Sequence, residues 1–199
     1  MEKKKKLPIG IDEFEKLREE DFYYIDKTGL IRELLSDWGM VNLFTRPRRF
    51  GKSLNMSMLE SFFSINGKNS CFDGLEITKE TEICKEYMGK YPVIAISLKG
   101  VEAGDFETAK QMLVMTINSM ARKLQKLQEG NVLTEIEKNL YMRLLDYKMS
   151  DALLMDSLRI MSELLRKYYG QKVIILIDEY DVPLAKAFEN NYYDQMVTL

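Results

Sequence analysis

The protein has 199 residues, of which 46% are hydrophobic and 30% are charged, a composition typical of one globular domain or of one domain and part of another. Its 29 lysines and arginines nearly balance its 31 aspartates and glutamates, so the net charge of −2 gives no overall basic field of the kind that marks general nucleic-acid binders. Histidine is absent, which excludes catalytic Ser-His and Cys-His pairs and removes the commonest metal ligand.

The cysteine content and the hydropathy pattern indicate the compartment. Cys71 and Cys84 are too far apart for a Cys-x-x-Cys motif and too few for a disulfide framework, so we expect reduced thiols and a cytoplasmic protein. No apolar run approaches the roughly 20 residues of a membrane-spanning helix. The charged residues 1–6 lack the apolar stretch of a secretory signal, and we expect no membrane partner.

Periodic apolar residues predict two short helices in an N-terminal segment, residues 1–39. We expect Asp12 to cap the first helix and Thr28 to cap the second. The residues between them, 22–25, are expected to be extended. This segment is predicted to pack on a core domain that covers residues 40–199.

The core is predicted to alternate strands with helices. Met40 to Thr45 and Tyr91 to Leu98 are short runs rich in apolar and β-favouring residues. Val173 to Ile177 is apolar without polar alternation, as expected for a strand covered on both faces. The residues of the predicted helix that follows the first strand are Leu54, Met58, Leu59, Phe62 and Phe63.

Three further helices are predicted between the second and third strands. The first begins at Phe106, the second begins with a capping box formed by Thr134 and Glu137, and the third runs from a Ser150 cap to Gly170. The turn-rich residues 66–74 are expected to form a surface loop.

The tripeptide Gly51-Lys52-Ser53 follows the first predicted strand and opens a helix, which is the position of a phosphate-binding loop. Gly51 lets the backbone approach the phosphates, Lys52 reaches the terminal phosphate oxygens, and the Ser53 hydroxyl can bind Mg²⁺. The first glycine of the full motif is replaced by Arg46. Taken alone, the tripeptide also fits an ordinary helix start with a solvated Lys52 and a capping Ser53.

A second acidic motif, Asp178-Glu179, ends the last predicted strand. Together with the loop motif, it predicts ATP and Mg²⁺ binding: Asp178 would hold the metal with Ser53, and Glu179 would polarise the attacking water. The alternative is that two carboxylates end a strand in solvent.

Four cations fall within seven positions of the loop, namely Arg46, Arg48, Arg49 and Lys52. In one interpretation, one or two of the arginines face the triphosphate and compensate for the missing glycine. In the other, they pair with acidic residues elsewhere or contact a partner's phosphates. The sequence leaves both open for each arginine.

Three segments together resemble the AAA-ATPase-like domain family of bacteria and archaea. They are Phe22-Tyr23-Tyr24-Ile25-Asp26-Lys27-Thr28, Arg46-Pro47-Arg48-Arg49-Phe50-Gly51-Lys52-Ser53-Leu54 and Leu176-Ile177-Asp178-Glu179-Tyr180-Asp181-Val182-Pro183-Leu184. Arginine in place of the first loop glycine is itself common in that family. The resemblance implies that the whole second segment binds ATP, that Lys52 and Glu179 serve catalysis, and that Ser53 and Asp178 hold Mg²⁺.

The fold class that follows is α/β, with a P-loop NTPase-type parallel sheet flanked by helices and right-handed crossovers. By resemblance, the run from Val93 to Leu98 is a strand added between the Walker A and Walker B strands. Because the third strand leads directly into the end of the chain, we expect an incomplete domain, truncated at its C-terminal end. The element Asp26-Lys27-Thr28 is expected near the nucleotide base or the loop, with a plain helix-cap role for Thr28 as the alternative.

Members of the family often continue into a restriction-endonuclease-like nuclease domain, which this sequence lacks along with an identifiable sensor residue or arginine finger. We predict an ATPase module whose Mg²⁺-dependent hydrolysis is coupled to a partner or to such a nuclease domain. The alternative is a hydrolysis-deficient module that binds nucleotide, DNA or protein through its basic loop. The oligomeric state stays open, and a nuclease activity of this chain itself finds little support.

Overall fold

The structure is a computed structural model that describes residues 5–37, 39–45 and 50–199. The chain divides into two compact units, Met1–Val93 and Ile94–Leu199. The domain boundary placed between residues 39 and 40 stays a prediction.

The described part of the first unit consists of helices joined by short loops. Its α-helices are α1 (Phe14–Glu19), α2 (Gly29–Ser36), α3 (Lys52–Phe63) and α4 (Thr81–Tyr87), and its 3₁₀ helices span Asn69–Phe72 and Glu76–Lys79. The core contains four fully buried aromatic rings, Phe14, Phe62, Phe63 and Phe72, and Phe72 contacts both Phe14 and Phe62. Burial of each ring stabilises the unit by about 1.5–3 kcal/mol.

Residues 40–45 form no strand, and the prediction of a strand there is wrong. Met40, Val41 and Leu43 are all largely exposed. A strand is stable only when a neighbouring strand pairs with its backbone, and no segment within the described ranges does so here. A run of apolar, β-favouring residues was therefore not enough to specify a strand.

Two other local predictions for this unit are wrong. Asp12 does not cap α1, because Glu13 occupies the N-cap position and the helix begins at Phe14, whose backbone N–H donates to Ser57 Oγ at 3.0 Å. Residues 66–74 are not simply a surface loop, because they include the 3₁₀ helix Asn69–Phe72, which buries Phe72 against the other aromatic rings.

Two strands, β1 (Val93–Ser97) and β2 (Ile174–Asp178), pair in a small parallel sheet flanked by helices. The α-helices of the second unit are α5 (Phe106–Arg122), α6 (Glu135–Leu144), α7 (Asp151–Tyr169), α8 (Val182–Glu189) and α9 (Tyr193–Thr198), and a 3₁₀ helix spans Gln125–Gln128. Two of the three predicted strands are thus confirmed. The structure therefore confirms the predicted mixture of helices and strands, with a parallel sheet flanked by helices.

The helix ends in the second unit follow local sequence rules. The capping box between Thr134 and Glu137 is present at the start of α6, and Ser150 Oγ accepts from the backbone N–H of Leu153 at the start of α7. Gly170 ends α7 with a φ of 64°, the left-handed conformation that glycine adopts without steric cost. These three predictions are confirmed.

Strand β2 is open on one face, contrary to the prediction that both faces are covered. Ile175 and Ile177 are 41% and 39% exposed, whereas Ile94 and Ile96 of β1 are buried in the core. The two faces of β2 therefore differ in burial although both carry apolar side chains. A strand without alternating polar residues can therefore still have one exposed face.

Candidate functional site

The predicted phosphate-binding residues lie at the N-terminus of α3. Gly51 is the N-cap of this helix, with φ 75° and ψ 28°, and Lys52 and Ser53 are its first two residues. Leu54 follows in the first turn, and Phe50 precedes the cap with an exposed side chain. The other four predicted loop residues, Arg46, Pro47, Arg48 and Arg49, lie outside the described residues.

The start of α3 has the physical features of an anion-binding site. The first backbone N–H groups of an α-helix have no acceptor within the helix, and the aligned peptide dipoles add a partial positive charge there. Gly51 has no side chain that could cap these groups, and its left-handed backbone would strain any residue with a Cβ. An anion is therefore the natural acceptor at this position.

Helix α3 is fixed to the rest of its unit by its buried C-terminal half and by several hydrogen bonds. Met58, Leu59, Phe62 and Phe63 are buried, which confirms the apolar pattern predicted for this helix. The Ser57 hydroxyl accepts the hydrogen bond from Phe14 at the start of α1. The first turn, which carries the predicted ligands, remains only partly buried.

Asp26 and Thr28 connect the segment before α2 to a 3₁₀ helix far along the chain. Asp26 Oδ1 accepts from the backbone N–H and the hydroxyl of Thr28 at 2.8 and 2.7 Å, and Asp26 Oδ2 accepts from the backbone N–H of Glu76 at 2.7 Å. Thr28 Oγ1 in turn accepts from the backbone N–H of Ile77 at 3.1 Å. Burial of Asp26 acts to raise its pKa, but these hydrogen bonds outweigh it and the pKa is lowered overall.

Thr28 therefore has a different task from the one predicted. It is fully buried and occupies the N-cap position of α2, yet its side chain makes no cap hydrogen bond. The hydroxyl instead completes the contact to Asp26 and Ile77. The prediction that the Thr28 side chain caps α2 is wrong, because this buried hydroxyl accepts from a distant backbone N–H rather than from one in its own helix.

The predicted acidic pair lies at the end of β2. Asp178 is the last residue of the strand, and its carbonyl accepts from the backbone N–H of Leu98 at 2.9 Å. Glu179 follows with a φ of 53°, a left-handed conformation that costs a residue with a side chain about 1–2 kcal/mol. Its carbonyl accepts from the N–H of Val182 at 3.1 Å, which turns the chain into α8. Sequence reasoning gave no signal for this backbone conformation.

The two groups of predicted site residues fall in different units. Lys52 and Ser53 belong to Met1–Val93, and Asp178 and Glu179 belong to Ile94–Leu199. Within the described residues, no cluster of three or more His, Cys, Asp or Glu side chains could hold a metal ion. A hydroxyl and a single carboxylate nevertheless suit Mg²⁺, which commonly takes one or two protein ligands and completes its shell with water and phosphate oxygens.

The second unit also contains an open cavity of about 340 Å³ between β1 and α5. Its lining includes Ser97, Thr116, Ser119 and Lys123, together with apolar side chains. None of the predicted site residues that the structure describes lines it.

Comparison with known proteins identifies the family. A family model described as Predicted AAA-ATPase matches residues 8–199. The chain belongs to this family. The resemblance deduced from the three sequence segments is thereby confirmed, and membership of the predicted AAA-ATPase family supports nucleotide binding in general.

A relative of this AAA-ATPase-like chain is described as an uncharacterized protein in the vnfD 5′ region of Azotobacter chroococcum mcd 1. It is 32% identical over 188 residues, which cover 91% of this chain and 30% of the relative. The chain thus spans less than a third of that protein's length. No solved structure matches the chain.

The lengths and hydropathies of the helices bear on whether one could span a membrane. Within the described residues, none is both long enough and apolar enough to cross a bilayer.

Proposed function

We propose that this chain is an ATP-binding P-loop ATPase module that hydrolyses ATP with Mg²⁺ on behalf of a partner protein or a nuclease domain. The observation that carries the proposal is the placement of Gly51-Lys52-Ser53 at the uncapped start of a twelve-residue helix, in a chain of the predicted AAA-ATPase family. The proposed fold type is correspondingly that of the P-loop NTPases, and the expected compartment is the cytoplasm.

The start of α3 would bind the phosphates. The N–H groups of its first turn donate to phosphate oxygens, and the Lys52 ammonium neutralises the charge of the terminal phosphates. The positive φ of Gly51 supports this role, because it lets the backbone bend toward the nucleotide without a side chain in the way. Catalysis of phosphoryl transfer depends mostly on such positioning and charge stabilisation.

Ser53 and Asp178 are the residues that would hold Mg²⁺, which when bound neutralises charge on the phosphate oxygens. Glu179 would orient the attacking water and accept its proton. The strained backbone of Glu179 supports an active role, since strain of this kind is retained where a side chain is needed in a fixed place.

The test is equilibrium binding of labelled ATP and GTP to the chain, with and without Mg²⁺. We expect ATP binding that Lys52→Ala weakens by at least about tenfold, as for loss of one charged hydrogen bond, and that Glu179→Gln retains. Glu179→Gln should instead abolish hydrolysis. Lys85→Ala, which removes an exposed lysine of α4, is the matched control and should bind like the unmodified chain. If folded Lys52→Ala binds ATP as tightly as the control, the site assignment is wrong.

The alternative function is a hydrolysis-deficient module whose basic loop binds DNA or protein. The observation that favours it is the basic character of the loop, in which Arg46, Arg48, Arg49 and Lys52 fall within seven positions. Binding to DNA that weakens steeply with salt, and that ATP does not change, would support this alternative over the ATPase.

A further inference from the structure

Lys27 ends beside the proposed phosphate-binding residues. Its Nζ lies 3.5 Å from the position that a Cβ would take on Gly51. Lys27 is therefore a cation at the start of α3 that is more than twenty positions away in sequence from the Gly-Lys-Ser motif. The sequence predicted only that the element containing Lys27 lies near the nucleotide base or the phosphate-binding loop.

The ammonium group of Lys27 is available to a ligand. Within residues 5–37, 39–45 and 50–199, no carboxylate forms an ion pair with Lys27 or with Lys52. Two other lysines of this unit form ion pairs, Lys5 with Asp21 and Lys68 with Glu19, each at 2.5 Å. An unpaired lysine directed at a helix start that already favours anions is unfavourable without a negative partner.

The backbone on both sides of Lys27 is held in place. Asp26 and Thr28 are fixed by their hydrogen bonds to the 3₁₀ helix Glu76–Lys79, and the N–H of Lys27 itself donates to Tyr24 Oη at 3.4 Å. Burial raises the pKa of Tyr24 to about 12, so this hydroxyl stays protonated throughout the physiological range. The lysine thus extends from an anchored segment rather than from a free loop.

We propose that Lys27 is a second phosphate-binding lysine, whose ammonium contacts a β- or γ-phosphate oxygen of the nucleotide held at Gly51 and Lys52. This inference deepens the proposed function and rests on it. Two lysines supplied by separate segments give a site whose affinity rises with the number of phosphates. Lys27 would therefore help to distinguish a nucleoside triphosphate from a diphosphate or monophosphate.

The same anchoring gives Asp26 and Thr28 a positioning role. Each polar side-chain atom of Asp26 and Thr28 already has a hydrogen-bond partner, either in the other residue or in the backbone of Glu76 and Ile77. They act on the ligand only through the place they give to Lys27. A change at Thr28 should therefore affect binding less than a change at Lys27.

The experiment is calorimetric titration of ATP, ADP and AMP into the full chain and its variants. Lys27→Met keeps the aliphatic stem and removes the charge, and Lys27→Arg keeps the charge. Lys85→Ala again serves as the control. We expect Lys27→Met to weaken ATP binding by about tenfold, as for loss of one charge-assisted hydrogen bond, and AMP binding by much less. Lys27→Arg should retain most of the affinity for ATP.

The outcomes separate this inference from the proposed function. If Lys52→Ala weakens ATP binding but Lys27→Met matches the Lys85→Ala control, the Lys27 inference is wrong and the proposed site stands. If Lys27→Met weakens all three nucleotides equally, Lys27 does not contact the terminal phosphates and the inference is also wrong. If the unmodified chain binds no nucleotide while its circular dichroism and thermal melt show it to be folded, the proposed function itself fails.

Discussion

The two candidate regions both contain a residue with a left-handed backbone, but they fill that position differently. At the start of α3 the residue is Gly51, with a φ of 75°, and after β2 it is Glu179, with a φ of 53°. Glycine adopts this conformation without a steric penalty, whereas glutamate is destabilised by about 1–2 kcal/mol. The comparison indicates that the first site uses its backbone, and that the second keeps a side chain despite the strain.

The regions also differ in how they are held. Around α3, polar side chains from separate segments fix one another, as Thr28 does through Asp26 and Ile77. After β2, the acidic pair is held by contacts close in sequence and by one strand contact: the Asp178 carbonyl accepts from Leu98, Asp178 Oδ1 accepts from the N–H of Glu179 at 3.1 Å, and a turn leads to Val182. Side-chain substitutions should therefore affect the stability of the first region more than that of the second.

Thr28→Val is expected to have the largest effect on stability. Valine has almost the same shape but leaves the N–H of Ile77 without its acceptor, which should lower the free energy of unfolding by about 1–3 kcal/mol. Thr28→Ser retains the hydroxyl and should lose clearly less. Urea denaturation of both variants measures the difference, and equal losses would show that packing rather than hydrogen bonding holds this segment.

Gly51→Ala should have the next largest effect. Among the described residues, the added Cβ meets only Lys27 Nζ, at an ordinary contact distance of 3.5 Å, so the expected destabilisation of about 1–2 kcal/mol comes from the backbone conformation. Gly100→Ala is the matched control, because a Cβ there meets nothing within 4 Å and its φ is not positive. A Gly51→Ala variant as stable as the control would contradict the left-handed start of α3.

Glu179→Gly should change stability in the opposite direction. Relief of strain, less the added freedom of the unfolded chain, should raise the free energy of unfolding by roughly 0.5–1 kcal/mol. Glu179→Gln retains the strain and should leave stability nearly unchanged, while both variants lose hydrolysis. Thermal melts and steady-state hydrolysis distinguish these effects, and a destabilised Glu179→Gly variant would show that the glutamate side chain is structural.

The smallest expected effect is the pH dependence of folding stability that comes from the titration of Asp26. Its hydrogen bonds hold the folded-state pKa below the ordinary value of 3.8, so the stabilisation is complete above that pH and is lost as the pH falls through the lower pKa. Asp26→Asn removes this titration. The thermal midpoints of the two proteins should therefore differ by a constant amount above pH 3.8 and converge as the pH falls further below that value, and parallel curves would contradict the assignment.

The sequence predicted features that depend on neighbouring residues better than those that depend on distant ones. The capping box at Thr134 and the glycine end of α7 at Gly170 follow from local rules and are confirmed. The contact of Thr28 with Ile77 joins residues 49 positions apart, and no spacing rule could predict it. The strand expected from Met40 failed for a related reason, since a strand requires a pairing partner elsewhere in the chain.

The same limit applies to the candidate site. The Gly51-Lys52-Ser53 motif correctly predicted a helix that begins at Lys52, because the glycine and the following apolar spacing are local signals. The position of Lys27 beside Gly51 results from tertiary contacts, and the strained φ of Glu179 has no signature in residue type. The roles given to Lys52, Ser53, Asp178 and Glu179 therefore stay proposals that depend on experiment.

The central claim, that nucleotide binds at the start of α3, is tested most directly by amide hydrogen exchange of the full chain with and without Mg²⁺ and ATP. The account predicts slower exchange in peptides covering Gly51 to Leu54 and in the segment that contains Lys27, because ligand binding suppresses local opening. Lys52→Ala should lose this protection at the same ATP concentration. Binding of ATP with protection confined to other segments would contradict the account.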